Sequence, residues 1–168
     1  MIWHNDFVWL HLPRAGGTAT ANWVREIFQR NNSHAGSALA RVSVDDDLLR
    51  QKHDNLLTRE IRFGEISGCR SVVMNFRRLD EWLLSNFKFA KAAGMNVSLE
   101  RYLAGEYFSL RLGNWCLADW WLHYFEMERV SHFFRLDRLE EDWRQFLQDT
   151  VGLEIPACHN IVKMNQAP

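Results

Sequence analysis

The most constraining stretch of this chain is a short apolar run that breaks on glycine and resumes as a helix. Phe7-Val8-Trp9-Leu10-His11-Leu12 is rich in strand formers and ends at Pro13 and the pair Gly16-Gly17. From residue 18 to 29 the apolar positions change period, with Trp23, Ile27 and Phe28 on one helical stripe. Strand, tight loop and helix in that order force the chain to reverse direction at a loop whose backbone is held close. The same alternation recurs downstream. Ser71-Val72-Val73-Met74-Asn75-Phe76 is nearly continuous apolar sequence, the pattern of a strand covered on both faces. A helix is expected over residues 79–92, stopping at Gly94, and a third strand over 132–136. Asp137 is expected to cap the next helix, with Glu140 three residues on as a variant capping box, and that helix ends near Gly152.

Weaker patterns fill the gaps: a short strand at 40–44, and helices at 45–62, 98–106 and 115–128. Residues 153–168 read as an irregular tail, and no repeat or linker divides the chain. The expectation is a single α/β domain over residues 1–168, in three layers, with a mostly parallel central sheet flanked by helices.

Composition narrows the function. A chain of 168 residues with 47% hydrophobic and 24% charged residues can bury one sizeable core. Its net charge of −1 excludes a nucleic-acid binder that works through a broad basic face, so no nucleic-acid partner is expected. The three cysteines, Cys69, Cys116 and Cys158, form no CxxC pair and suit a reducing compartment. Met1 leads into Ile2-Trp3-His4-Asn5-Asp6 without a signal-peptide pattern, and no window is apolar enough for a membrane span. A cytoplasmic protein with no membrane partner is expected; oligomeric state has no signature here.

The loop Pro13-Arg14-Ala15-Gly16-Gly17-Thr18 carries the chemistry. Glycines let several backbone N–H groups face one point, the helix start adds partial positive charge, and Arg14 adds a full one. Such a loop suits a phosphate or sulfate, although a Gly-Gly turn capped by Thr18 would also explain it. It is neither GxxxxGK[ST] nor GxGxxG, which demotes ATP kinases and nicotinamide enzymes. Arg77 follows the second strand, at the edge where open α/β sheets bind ligands. Ser85 lies eight residues later, about two turns into the next helix, so arginine and hydroxyl can grip one phosphate from two sides.

Together the two features resemble the sulfotransferases that use 3′-phosphoadenosine 5′-phosphosulfate (PAPS). Those enzymes grip the 5′-phosphosulfate with a PKxGGT or PKxGTT loop, and the 3′-phosphate with an arginine and a serine eight residues apart. Residues 13–18 match the first motif, and Arg77 with Ser85 the second, in the family's order. Phe134-Arg135-Leu136-Asp137-Arg138-Leu139-Glu140-Glu141-Asp142 resembles the strand and acidic helix found late in the family. The resemblance implies a P-loop-like sulfotransferase fold that binds PAPS through Pro13, Arg14, Ala15, Gly16, Gly17, Thr18, Thr20, Arg77, Ser85 and the tail residue Lys163. It implies sulfuryl transfer to a hydroxyl or amine of a small-molecule or carbohydrate acceptor, without a metal, leaving adenosine 3′,5′-bisphosphate. Arg14, where the family has lysine, would stabilise the departing phosphate. The family's general base is a histidine or glutamate; His53 is the first candidate, with His34 and Glu60 behind it. Two other readings stay open: a non-catalytic binding module of the same fold, motivated by Arg14 and the short chain, and a small-molecule kinase.

Overall fold

The computed structural model describes residues 2–4, 6–34, 43–44, 55–63, 71–104, 118–157 and 161. Among these, five strands form one sheet: β1 (Ile2–Trp3), β2 (Phe7–Leu10), β3 (Ser43–Val44), β4 (Ser71–Phe76) and β5 (His132–Arg135), in spatial order β3-β1-β2-β4-β5. β2 runs parallel to β4, with Phe7 opposite Ser71 and Leu10 opposite Met74. β4 runs parallel to β5, with Val73 opposite His132 and Phe76 opposite Arg135. The three longer strands are therefore parallel, as expected. The short β1 is antiparallel to both β2 and β3, an edge the sequence did not announce. The chain reverses between β1 and β2 at His4, whose backbone N–H donates to the Phe7 carbonyl at 2.8 Å.

The helices are α1 (Gly17–His34), α2 (Leu56–Phe63), α3 (Leu79–Ala92), α4 (Leu99–Leu103), α5 (Ala118–Tyr124) and α6 (Leu139–Phe146). α6 runs on into a wider π-type turn, Leu147–Val151, and stops at Gly152 with φ +72°. β2 explains how these helices are shared out. Successive side chains on a strand point to opposite faces. Phe7 and Trp9 pack with Trp23, Val24, Ile27 and Phe28 of α1 and Trp143 of α6. Val8 and Leu10 pack with Leu56 of α2, Trp82 of α3 and Trp121 of α5. Helices thus cover both faces of the central strands, which is why those strands read as unbroken apolar runs. Full burial of each such large side chain contributes about 1.5–3 kcal/mol.

Several expectations need correcting or narrowing. Asp137 is not a helix cap: residues 136–138 form a 3₁₀ turn, and α6 starts at Leu139 with no side-chain cap bond from Arg138. The Asp137 carboxylate instead pairs with Arg135 at 3.0 Å. Asp142 closes that corner, accepting the Arg135 backbone N–H at 2.9 Å. The helices expected over 98–106 and 115–128 span Leu99–Leu103 and Ala118–Tyr124 among the described residues. Where a strand over 40–44 and a helix over 45–62 are expected, the described elements are Ser43–Val44 and Leu56–Phe63, the latter one residue past the expected end. The three cysteines lie outside the described residues. No helix among the described residues is long and apolar enough to cross a membrane.

Candidate functional site

Parallel pairing makes β2 and β4 finish at the same edge of the sheet. The loop after β2 and Arg77 after β4 therefore emerge side by side, and α3 carries Ser85 back over them. The loop is tightly wound, with Arg14 at φ +64° and Gly16 at φ +77°. Left-handed φ at a residue with a side chain costs about 1–2 kcal/mol, so something must hold Arg14 there. Side chains from β4, from the link that follows it and from α3 do so by binding three consecutive carbonyls. The Trp82 indole N–H donates to Pro13 O at 2.8 Å, Arg77 Nη1 to Arg14 O at 3.3 Å, and Asn75 Nδ2 to Ala15 O at 3.0 Å. Gly16 O then accepts the Thr20 N–H at 3.1 Å, the first turn of α1.

Both glycines are dictated by close neighbours. A Cβ on Gly16 would lie 2.7 Å from Leu136 Cδ1, and one on Gly17 would lie 1.8 Å from His11 Nε2. His11 is buried and stacked on Trp9 with ring centroids 5.1 Å apart, which holds its ring over Gly17.

Arg14 reaches across the site. Its Nε donates to Ser85 Oγ at 3.1 Å, and its guanidinium carbon lies 5.1 Å from the centre of the Phe89 ring. Burial, and after it the neighbouring Arg77 charge, lowers the Arg14 pKa from the ordinary arginine value. Arg77 leans on Glu81 of α3 at 3.4 Å. Arg78 is different: it pairs with Asp80 at 3.2 Å, with both side chains largely exposed. Two guanidinium groups, one hydroxyl and the start of an 18-residue helix thus share one sheet edge. That set of donors suits an anion.

The remaining expected residues divide. Pro13 and Ala15 are buried and Thr18 is exposed on the first turn of α1. Thr20 is fully buried, and its hydroxyl accepts from Asn75 Nδ2 at 2.7 Å, so it faces the core rather than the site. His34 ends α1; at 1.5 Å per residue it stands about 25 Å along the axis from Gly17. The structure therefore does not bring His34 to the loop. Glu60 is committed elsewhere: Arg129 donates to it at 2.7 Å and to Glu126 at 2.8 Å, and these bonds raise the Arg129 pKa. It ties α2 to the turn at Met127–Arg129 and is not gathered with the loop. His53 and Lys163 lie outside the described residues. Among the described residues, no group of three or more histidine, cysteine, aspartate or glutamate side chains could hold a metal ion.

Sequence reasoning missed Asn75 and Trp82. For Asn75 a signal existed: a side-chain amide inside a strand covered on both faces must find hydrogen-bond partners.

The fold and the site define an α/β protein with a glycine-turned cationic loop at the C-terminal edge of a parallel sheet. No family model, curated protein or solved structure matches the chain.

Proposed function

We propose that this chain is a PAPS-dependent sulfotransferase of the P-loop-like sulfotransferase fold, acting on a hydroxyl or amine of a small-molecule or carbohydrate acceptor. The observation that carries the reading is the meeting of Arg14, Arg77 and Ser85 at one sheet edge, Arg14 being bonded to both partners. These residues lie far apart in the sequence and meet only in the fold, where their charges and hydroxyl suit an anionic ligand.

The donor set suits an adenine nucleotide with anionic groups at both its 3′ and 5′ positions. Arg77 and Ser85 would hold the 3′-phosphate, a two-pronged contact and a single hydroxyl bond. The loop amides and the first turn of α1 would hold the 5′ end. Bound there, PAPS supplies a sulfuryl group joined to phosphate through an anhydride oxygen. Transfer of this kind resembles phosphoryl transfer, in which positioning and electrostatics contribute most of the catalysis. Arg14 stays protonated throughout, so it stabilises developing charge on the phosphate but donates no proton that it must regain. His53 is the proposed base for the acceptor proton.

A second reading, a binding module of the same fold without transferase activity, is favoured by one feature. Arg14 replaces the family's lysine, and its Nε is engaged by Ser85 rather than directed along the loop.

Thermal unfolding with adenine nucleotides tests the main proposal. Adenosine 3′,5′-bisphosphate should raise the melting temperature more than 5′-AMP, without magnesium, because the extra phosphate meets Arg77 and Ser85. Arg77→Ala should weaken that ligand by about 1.5–3 kcal/mol, the worth of a charge-assisted contact. Equal shifts from both nucleotides in the wild-type chain would overturn the assignment. Sulfation of an acceptor pool by PAPS then separates the enzyme from the binding module.

A further inference from the structure

One fully bonded polar group among the described residues is none of the expected ligands; it is the side chain of Asn75, only 1% exposed near the end of β4. Its Oδ1 accepts two indole N–H groups, from Trp9 at 3.1 Å and Trp143 at 3.0 Å. Its Nδ2 donates to Ala15 O at 3.0 Å and to Thr20 Oγ1 at 2.7 Å. A side-chain amide has two donor hydrogens and an oxygen with two lone pairs, so every one of its bonds is made. The orientation is also forced. Indole N–H groups can only donate and a backbone carbonyl can only accept, and turning the amide over would set donors against donors and oxygen against oxygen.

We infer that Asn75 is the positioning residue of the anion loop: it fixes the Ala15–Gly16 peptide so that the Gly16 N–H faces the ligand. Across a trans peptide bond the carbonyl and the following N–H point in opposite directions. With the Ala15 carbonyl drawn inward to a buried amide, the Gly16 N–H is turned away from the core, toward the edge where Arg14 and Arg77 lie. The Thr20 bond extends the same control to the first turn of α1, whose N–H groups follow the loop. The two indoles hold the amide still from the far side, one from β2 and one from α6. Trp82 and Arg77 hold the neighbouring carbonyls, but Arg77 is also a proposed ligand, so Asn75 carries this part of the loop independently of what is bound.

This inference rests on the proposal that the loop receives the 5′ end of an adenine nucleotide, and the experiment separates the two. Asn75→Asp keeps the side chain's size and an oxygen for the indoles, but sets a second oxygen against the Ala15 carbonyl. Ionised, that oxygen repels the carbonyl; protonated, it can donate to it. Affinities for 5′-AMP and 3′-AMP are measured by calorimetry for the variant and wild type from pH 8 to pH 5, as ratios at each pH. The variant should lose about tenfold for 5′-AMP at the alkaline end, the scale of one compromised buried hydrogen bond, and recover on acidification. Its 3′-AMP ratio should stay near one, because Arg77 and Ser85 are untouched. Equal loss for both monophosphates, or a 5′-AMP ratio flat with pH, overturns the positioning role. A wild-type chain that binds neither nucleotide overturns this inference and the sulfotransferase proposal together. If the variant does not fold, the wild-type protein still decides by NMR. The Asn75 side-chain amide protons should exchange slowly and shift when 5′-AMP is added, and fast exchange or an unmoved resonance refutes the assignment.

Discussion

Gly17 and His11 form the tightest steric pair at the site. The glycine stands at the first position of α1, where its backbone needs no special freedom, so the space above it explains its presence. An added methyl would lie 1.8 Å from a ring nitrogen of His11, and that ring is held against Trp9. Gly17→Ala should destabilise the fold by about 1–3 kcal/mol, the usual cost of overpacking, read from urea midpoints. Replacing His11 by alanine in the same chain should recover part of that loss, because residues in contact do not add independently. An unchanged midpoint in the single variant would mean the ring yields easily. The loop motif was legible because its residues are contiguous and their chemistry is local. Asn75 was not, because its four partners lie 55 to 68 residues away and only the folded sheet brings them together. The demotion of Glu60 and His34 has the same origin: Arg129 and the length of α1 decide it, and neither is a property of the residue itself.

Among the elements, those built on a long apolar run or a helical stripe are the ones legible in the sequence. β4 spans Ser71–Phe76 and α3 spans Leu79–Ala92, the limits expected from sequence. β1 escaped notice because two residues carry no period, and the start of α6 was misread because Asp137 found Arg135 before it could cap a helix. α3 matters most for the site, since it brings Ser85 to Arg14 and Trp82 to Pro13. The Trp82 indole is buried, and its N–H at 2.8 Å from Pro13 O anchors the start of the loop to the helix. Trp82→Phe keeps most of the apolar contact but leaves that carbonyl without its donor. The expected loss is about 1–3 kcal/mol of stability, measured by urea denaturation, the cost of an unsatisfied buried polar group. A loss well below this would mean that another donor reaches Pro13, and the loop would then not depend on α3.

At the level of the whole molecule, two apolar clusters back the sheet, and a titratable ring lies at the end of one of them. His4 joins β1 to β2 and is 2% exposed, with ring centroids 5.2 Å from Phe7 and 5.0 Å from Phe28. Its Nδ1 accepts the Asp6 backbone N–H at 3.1 Å, a bond only the unprotonated nitrogen can make. Burial lowers the His4 pKa from its ordinary value of 6.5, and the Asp6 carboxylate at 3.4 Å opposes that shift only in part. A lowered pKa in the folded chain means that the unfolded chain binds the proton first. The stabilising effect of the neutral ring is therefore complete above pH 6.5 and is lost progressively as the pH falls toward the folded-state pKa. One such group gives a slope of at most about 1.4 kcal/mol per pH unit within that window. Because Phe7 and Phe28 belong to the same cluster as Trp143 and Phe146, charging this ring acts on the packing that joins α1 and α6 to the sheet. Denaturation midpoints of the wild-type chain should fall more steeply as the pH drops below 6.5 than those of His4→Gln, which keeps an acceptor but cannot take a proton. Parallel curves for the two proteins would move the acid sensitivity of the fold to other groups.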